Sequence, residues 1–316
     1  METSRTRANS LVYLYHNRRT RMSIEKNQGP QWGPFLFVVN PHSGTNNDTS
    51  FLSVFDDAGI DYSVEVSTSP NHMLDLVRRA VSSGIQAVIA VGGDGTVHGI
   101  GKELMDTDVA LGVIPTGSGN GIARHLGIPM DKNAAIKALF QPKIRRIDTL
   151  KVNDTCALGF GGLGFDGLIA ERFSHSQGRG FGNYIKLCLE AFNEYASGNF
   201  NIDGKEQPAF SIIAANINQF GNDAFINPDA VDDDGLFELV KINHPPIASF
   251  PSLASRLFMR KFHQSKFVTE DKRGAVEILN LDKAHLQIDG EPYGTPSVVR
   301  VESNPSSLNV MIPTNV

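Results

Sequence analysis

The sequence predicts an α/β domain followed by a second domain built mainly of β-strands, and three observations carry that prediction. From Phe35 onward, short β-branched apolar runs alternate with stretches whose apolar residues recur at helical spacing, the pattern of a parallel sheet with helical crossovers. Glycine-containing turns follow three of those runs directly. After about Asp148 the pattern changes to strand-like pieces separated by turns.

In chain order, residues 1–33 are rich in Arg, Asn, Gln and Ser without a sustained apolar period and read as a mobile extension. The first domain, 34–148, shows strand patterns at Phe35–Val39, Tyr62–Val66, Ala87–Val91 and Leu111–Ile114. Asn71 is the expected N-cap of a helix whose Met73, Val77, Ala80 and Val81 share one face, and Val97, Ile100 and Leu104 predict another. The order strand, helix, strand implies right-handed crossovers. In the second domain, 149–316, strand patterns occur at Thr149–Val152, Phe210–Ala214, Leu236–Ile242 and Ala284–Ile288. One helical insert is expected at about Asn183–Tyr195, and Phe250, Leu253 and Leu257 predict a helix near Arg256. Whether the C-terminal end packs back on the first domain is left open.

Composition narrows the function. A net charge of -5 argues against a broad nucleic-acid footprint. The two cysteines, Cys156 and Cys188, lie far apart, which supports neither a disulfide framework nor a thiolate zinc site and fits a reducing cytoplasm. No apolar run approaches the ~20 residues of a spanning helix, so any membrane contact is expected to be peripheral, at the inner face. The nine histidines form no ligand-spaced cluster; His98 and His125 are expected in surface or loop positions. Neither an HExxH pair nor a GxSxG elbow is present.

The chemistry concentrates in the turns. Gly92-Gly93-Asp94-Gly95-Thr96 joins a buried strand to a helix. Glycines there let the backbone approach an anion, amides at the helix start donate to phosphate oxygens, and a carboxylate can hold Mg²⁺ against them. Read alone, it is also a tight turn with Asp94 capping the helix. Pro115-Thr116-Gly117-Ser118-Gly119-Asn120-Gly121 follows the next strand, so both loops are expected at the carboxyl edge of one parallel sheet, where ligands of such folds bind. Asn40-Pro41-His42-Ser43-Gly44 follows the first strand and reads either as a plain β-turn or as a third wall of the same site.

At these residues the sequence resembles the diacylglycerol kinase catalytic-domain family, which includes bacterial soluble lipid kinases and the sphingosine and ceramide kinases. The resemblance continues through Gly159-Phe160-Gly161-Gly162-Leu163-Gly164-Phe165-Asp166, Asp233-Asp234-Gly235-Leu236 and Ile288-Asp289-Gly290-Glu291-Pro292. It implies an α/β nucleotide-binding domain like those of NAD kinases and phosphofructokinases, a β-sandwich second domain, and an active site between them. It implies ATP and Mg²⁺ as cofactors and a lipid alcohol such as diacylglycerol as acceptor, with a sphingoid base or ceramide as the alternative. A soluble NAD-kinase-like enzyme or a non-catalytic nucleotide sensor are the competing readings, and a homodimer is left open.

Residue by residue, the resemblance places ATP against Asn40, Ser43, Ser67, Gly92, Gly93, Asp94, Gly95, Thr96, Val97, His98, Gly117, Ser118 and Asn120. It makes Glu291 the base toward the lipid hydroxyl, with Asp94 in a metal-mediated role. Asp166 is expected to recognise the headgroup; without the resemblance it reads as a turn aspartate capping the Gly167–Ala170 segment. A structural Mg²⁺ would lie on Asp234 and the carbonyls of Val231 and Leu236, although the acidic run there also reads as a solvated loop. Two positions depart from the pattern: Gly121 where many bacterial members carry Asp, and Gly99 where many carry Glu. The segment Phe250–Phe267 mixes apolar residues with Arg256, Arg260, Lys261 and Lys266. It is read either as a core helix with a basic face or as a membrane-facing patch.

Overall fold

The computed structural model describes residues 33–41, 43, 52–178 and 180–314. The expected extension, except Gly33, lies outside the described residues, as do His42 and Gly44 of the first glycine turn.

The first half of the chain runs β1 (Phe35–Val39), α1 (Ser53–Ala58), β2 (Tyr62–Val66), α2 (Pro70–Val81), β3 (Ala87–Gly92), α3 (Asp94–Leu104), β4 (Ala110–Pro115), α4 (Gly121–His125) and α5 (Lys132–Ala138). The strands pair in parallel in the order β2-β1-β3-β4. Because successive strand side chains point to opposite faces, Phe35, Phe37 and Val39 meet Phe55 of α1 and Ile136 of α5. Leu36 and Val38 belong to the other core, with Leu76 and Val77 of α2 and Ile100 and Leu104 of α3. Helices on both faces explain why β1, β3 and β4 are apolar and buried throughout, whereas β2, at the sheet edge, carries Ser63 and Glu65 and is only partly buried.

The second half runs β5 (Lys143–Val152), β6 (Thr155–Ala157), β7 (Phe160–Gly164), α6 (Phe165–His175), α7 (Phe181–Phe192), β8 (Gly198–Ile202), β9 (Lys205–Ala209), β10 (Ser211–Ala215) and β11 (Phe237–Ile242). It ends with α8 (Phe250–Phe258), β12 (Val268–Arg273), β13 (Ala275–Asn280), β14 (Leu286–Ile288), β15 (Glu291–Pro292) and β16 (Val298–Ile312). One sheet has the order β12-β11-β10-β7-β14-β15. Its Leu163, Ile212, Phe237 and Leu286 share a core with Leu150, Phe200, Ile278 and Val301 of the other sheet, which makes a β-sandwich.

The last strand, β16, pairs antiparallel with β5 and β13 in the sandwich, and Val310 then pairs in parallel with Leu111 of β4. Its register shifts between Asn304 and Leu308, with Ser306 at φ 50°. There the buried Asp148 carboxylate accepts from Ser306 N (2.7 Å) and Gly235 N (2.6 Å), fixing the bend where the strand leaves one sheet stack for the other.

Several sequence expectations need correction. The N-cap of α2 is Ser69, not Asn71: Ser69 is extended, its Oγ accepts from His72 N at 3.1 Å, and Pro70 opens the helix. The helical insert expected at about Asn183–Tyr195 is α7, and a second helix, α6, precedes it; the glycines of the Gly159–Gly167 stretch hid its start. His98 and His125 are on helices with side chains only 13% and 6% exposed, because each meets a buried carboxylate, Asp289 or Asp232. Among the described residues no helix is long and apolar enough to cross a membrane.

Candidate active site

The carboxyl ends of β1, β3 and β4 bring the three turns together. Asn40 Nδ2 donates to Thr96 Oγ1 (2.9 Å), Ser43 Oγ and Thr116 Oγ1 are 3.1 Å apart, and Thr116 N donates to the Gly92 carbonyl. A Cβ on Gly117 would lie 2.5 Å from the Gly93 Cα, so the two glycine loops touch backbone to backbone and only glycine fits. Asn120, at φ 53°, closes the second loop with both ends of its amide: Oδ1 accepts from Gly117 N and Nδ2 donates to Gly117 O. Thus Asn120 shapes the cradle. Thr96, Val97 and Ser67 are buried as well; Ser67 Oγ donates to Val39 O, and Val97 packs in the core.

Asp94, the first residue of α3, leans from its own loop toward the second. Its carboxylate accepts from Ile122 N at 3.4 Å and from the Asn120 and Gly121 amides. Burial pushes its carboxyl up, and these amides offset part of that shift. Among the described residues Asp94 has no ion-pair partner. A carboxylate without an ion-pair partner beside a phosphate-type cradle is a suitable cation ligand.

From Asp94 and Ser118 a cleft of about 250 Å³ runs between the domains to Asp166, walled by Ile122, Phe160, Phe173 and Phe220. Asp166 lies in the first turn of α6. A side chain at Gly162 would collide with its carboxylate and stand 2.7 Å from Gln287 Nε2, which accounts for the glycine. Gln287 Nε2 donates to Asp166 Oδ2 at 2.6 Å. Burial pushes the Asp166 carboxyl up to about 6, against hydrogen bonds from Gln287 and Tyr184. The carboxylate is enclosed by protein except on its cleft side.

Glu291 lies across from the first loop: its Oε1 is 3.7 Å from where a Cβ on Gly95 would stand. Asp289 and Gly290, at φ 48° and 87°, form the two-residue hairpin turn between β14 and β15 that aims it there. The turn reading of this motif and its placement of a carboxylate at the site are therefore compatible.

The departures have packing reasons. A side chain at Gly121 would meet the backbone of Gln219 and Phe220 at 2.9 Å, because the loop before β11 covers the second glycine loop there. Gly99 is where the Met73 side chain of α2 packs onto α3. Sequence reasoning missed that covering loop, whose only signal was Gly221. It also missed Gln287 and Asp289, which lie inside or beside a recognised motif.

The residues expected to hold a structural ion are away from the cleft. Asp234 Oδ1 accepts from Leu236 N (3.0 Å), while Oδ2 pairs with Lys272 Nζ at 2.8 Å; Val231 is exposed. Asp232 is held by His125 (2.9 Å) and Arg145 (2.6 Å). Among the described residues no group of three or more His, Cys, Asp or Glu side chains could hold a metal ion.

Residues 34–152 match the Diacylglycerol kinase catalytic domain, and residues 162–312 match the YegS C-terminal NAD kinase beta sandwich-like domain. The chain belongs to the diacylglycerol kinase catalytic-domain family. By that membership it is an enzyme, a lipid kinase. The family relatives include a Probable lipid kinase YegS-like from Chromohalobacter salexigens, 33% identical over 60% of this chain and 64% of the relative. Another of that name, from Enterobacter sp. (strain 638), is 26% identical over 88% of this chain and 95% of its own. Diacylglycerol kinase of Bacillus subtilis is 25% identical over 81% and 89%. A crystal structure of a diacylglycerol kinase from Bacillus anthracis str. Sterne superimposes with a TM-score of 0.71 over 90% of this chain and 99% of that one, at 19% identity, a likeness of fold.

Proposed function

We propose that this lipid kinase transfers the γ-phosphate of ATP, used with Mg²⁺, to a hydroxyl of a membrane lipid such as diacylglycerol. The observation that carries the reading is the apolar cleft joining the glycine loops and Asp94 at one end to the half-buried Asp166 at the other. Backbone amides of the Gly92–Gly95 and Gly117–Asn120 turns would hold phosphate oxygens, with Asn40, Ser43, Thr96, Val97 and Ser67 supporting the turns and Ser118 at the cleft. MgATP supplies the phosphoryl group with its charge partly neutralised. Asp94 would hold the cation side of that complex. Glu291 would accept the proton of the attacking hydroxyl and align its oxygen. The aromatic walls would take the lipid chain and exclude water, and Asp166 would orient the headgroup.

One observation favours a second acceptor. Asp166 has no ion-pair partner among the described residues, and a buried carboxylate gains more from an ammonium than from a neutral glyceride. A sphingoid base is therefore the alternative to diacylglycerol. Peripheral membrane contact belongs to this reading; exposed Phe258 and Met259 near Arg256 and Arg260 support it.

The test is incubation with labelled ATP, Mg²⁺ and mixed micelles of diacylglycerol, ceramide or a sphingoid base, followed by solvent extraction. Label in one lipid product is the expected result and identifies the headgroup. Label confined to the aqueous phase with every lipid, in folded protein that binds ATP, would overturn the reading.

A further inference from the structure

The side chain proposed as base is not anchored by bonds of its own. Glu291 is exposed and its carboxylate has no hydrogen-bond partner among the described residues, so its position depends on the turn that carries it. That turn is held from two sides.

On one side is Asp289, whose side chain is 4% exposed. Its Oδ1 accepts from Gly159 N (2.8 Å) and Phe160 N (2.7 Å), and its Oδ2 from Leu158 N (2.7 Å) and His98 Nδ1 (2.6 Å). A carboxylate has only acceptors to offer, so the ring proton is on Nδ1. His98 stands one turn along α3 from Asp94 and Gly95, so the bond crosses from the nucleotide domain to the sandwich. Burial works to raise the Asp289 carboxyl, but His98 and the amides outweigh it and hold the group below its ordinary value. On the other side, Gly290 N donates to Gln287 Oε1 (2.7 Å), and the same amide donates through Nε2 to Asp166 in the cleft.

We propose that His98 and Asp289 are a positioning pair that ties the first glycine loop to the turn carrying Glu291, and that Gln287 ties the same turn to Asp166. His98 thereby acts through Asp289 instead of touching nucleotide. Nucleotide at α3 and headgroup at Asp166 would both bear on one two-residue turn, the one that aims Glu291. The inference rests on the lipid kinase reading for its consequence in catalysis and on the hydrogen bonds alone for the coupling.

His98 is the clean probe, because Asp289 also holds three backbone amides and its loss endangers the fold. His98→Ala and His98→Asn are compared with the parent chain; asparagine can place an N–H near the site of Nδ1. In His98→Ala, kcat is expected to fall at least tenfold, with the ATP Kd from calorimetry and the lipid KM within about threefold of the parent. His98→Asn should recover most of the loss. Hydrogen exchange at the amides of 158–160 and 290 should quicken at least tenfold in His98→Ala, while β3 stays protected.

Weakening of ATP binding by more than tenfold in both variants would make His98 a nucleotide contact and overturn the proposal. So would unchanged exchange at 158–160 and 290, or full kcat in His98→Ala. The exchange arm needs no lipid, so a parent chain that phosphorylates none would sink the kinase reading while exchange still decides the coupling.

Discussion

Two carboxylates separate the chemistry from its supports. Glu291→Gln removes the proton acceptor without changing size, and kcat for lipid phosphorylation is expected to fall by roughly 10²–10⁴ with ATP affinity retained. Asp94→Asn should lose MgATP affinity as well, and calorimetry alongside initial rates distinguishes the two; equal activity in both variants would remove the proposed roles. Asp166 gives a pH signature. Its folded value of about 6 lies above the ordinary 3.8, so burial favours its protonated form. The stability tied to that proton is full below about pH 4 and is lost as pH rises through 6. Asp166→Asn should therefore be more stable than the parent above pH 6, by at most about 3 kcal/mol, and not below pH 4. Urea unfolding from pH 4 to 8 measures this, and a pH-independent difference would exclude it. The motifs made these three residues legible in the sequence. Asp289 was not, although it lies two positions from Glu291: its role depends on amides 129–131 residues away, and no local pattern encodes that distance.

At the scale of elements, β1, β3 and β4 were legible because they are buried on both faces and bounded by turns, and the half-exposed edge strand β2 by its β-branched and aromatic residues; β1 and β2 match their sequence patterns residue for residue. Helix boundaries were less so. Asn71 looked like a cap because asparagine favours that position, but Pro70 directly after an extended serine fixes the start two residues earlier. Ser69→Ala should cost about 1 kcal/mol in chemical denaturation and leave kcat unchanged; a neutral effect would argue that α2 is held by packing alone. α6 escaped notice because Gly164 and Gly167 break its apolar period. Gly167 is where β14 comes close: an added Cβ would stand 3.0 Å from Leu286 N. The glycine loops allow a sharper test. Gly117→Ala drives a methyl against the Gly93 backbone, so ATP binding should weaken at least tenfold while far-ultraviolet circular dichroism is preserved.

Across the whole molecule, the two domains are less separate than their sequence patterns. β16 belongs to the sandwich through β5 and β13 and to the nucleotide sheet through β4, and β5 itself begins at Lys143, ahead of the change in pattern. Strand patterns mark where a run is apolar, not which partner it finds, and β16 was not read as a strand because Ser303–Ser307 interrupts it with polar residues that form its bend. A shared strand predicts one cooperative thermal transition by calorimetry, not the two of independent domains, with calorimetric and van't Hoff enthalpies in agreement. The same strand sets an order of assembly. β4 displays its outer edge to solvent until β16 arrives, and β16 is translated after every other described strand. The nucleotide domain therefore emerges from the ribosome with an open hydrogen-bonding edge that any extended peptide could occupy, and remains so while the entire sandwich is synthesised. A nascent chain of this protein should therefore engage chaperones during that interval, and substitutions in β16 should first show as lost yield of soluble protein during expression.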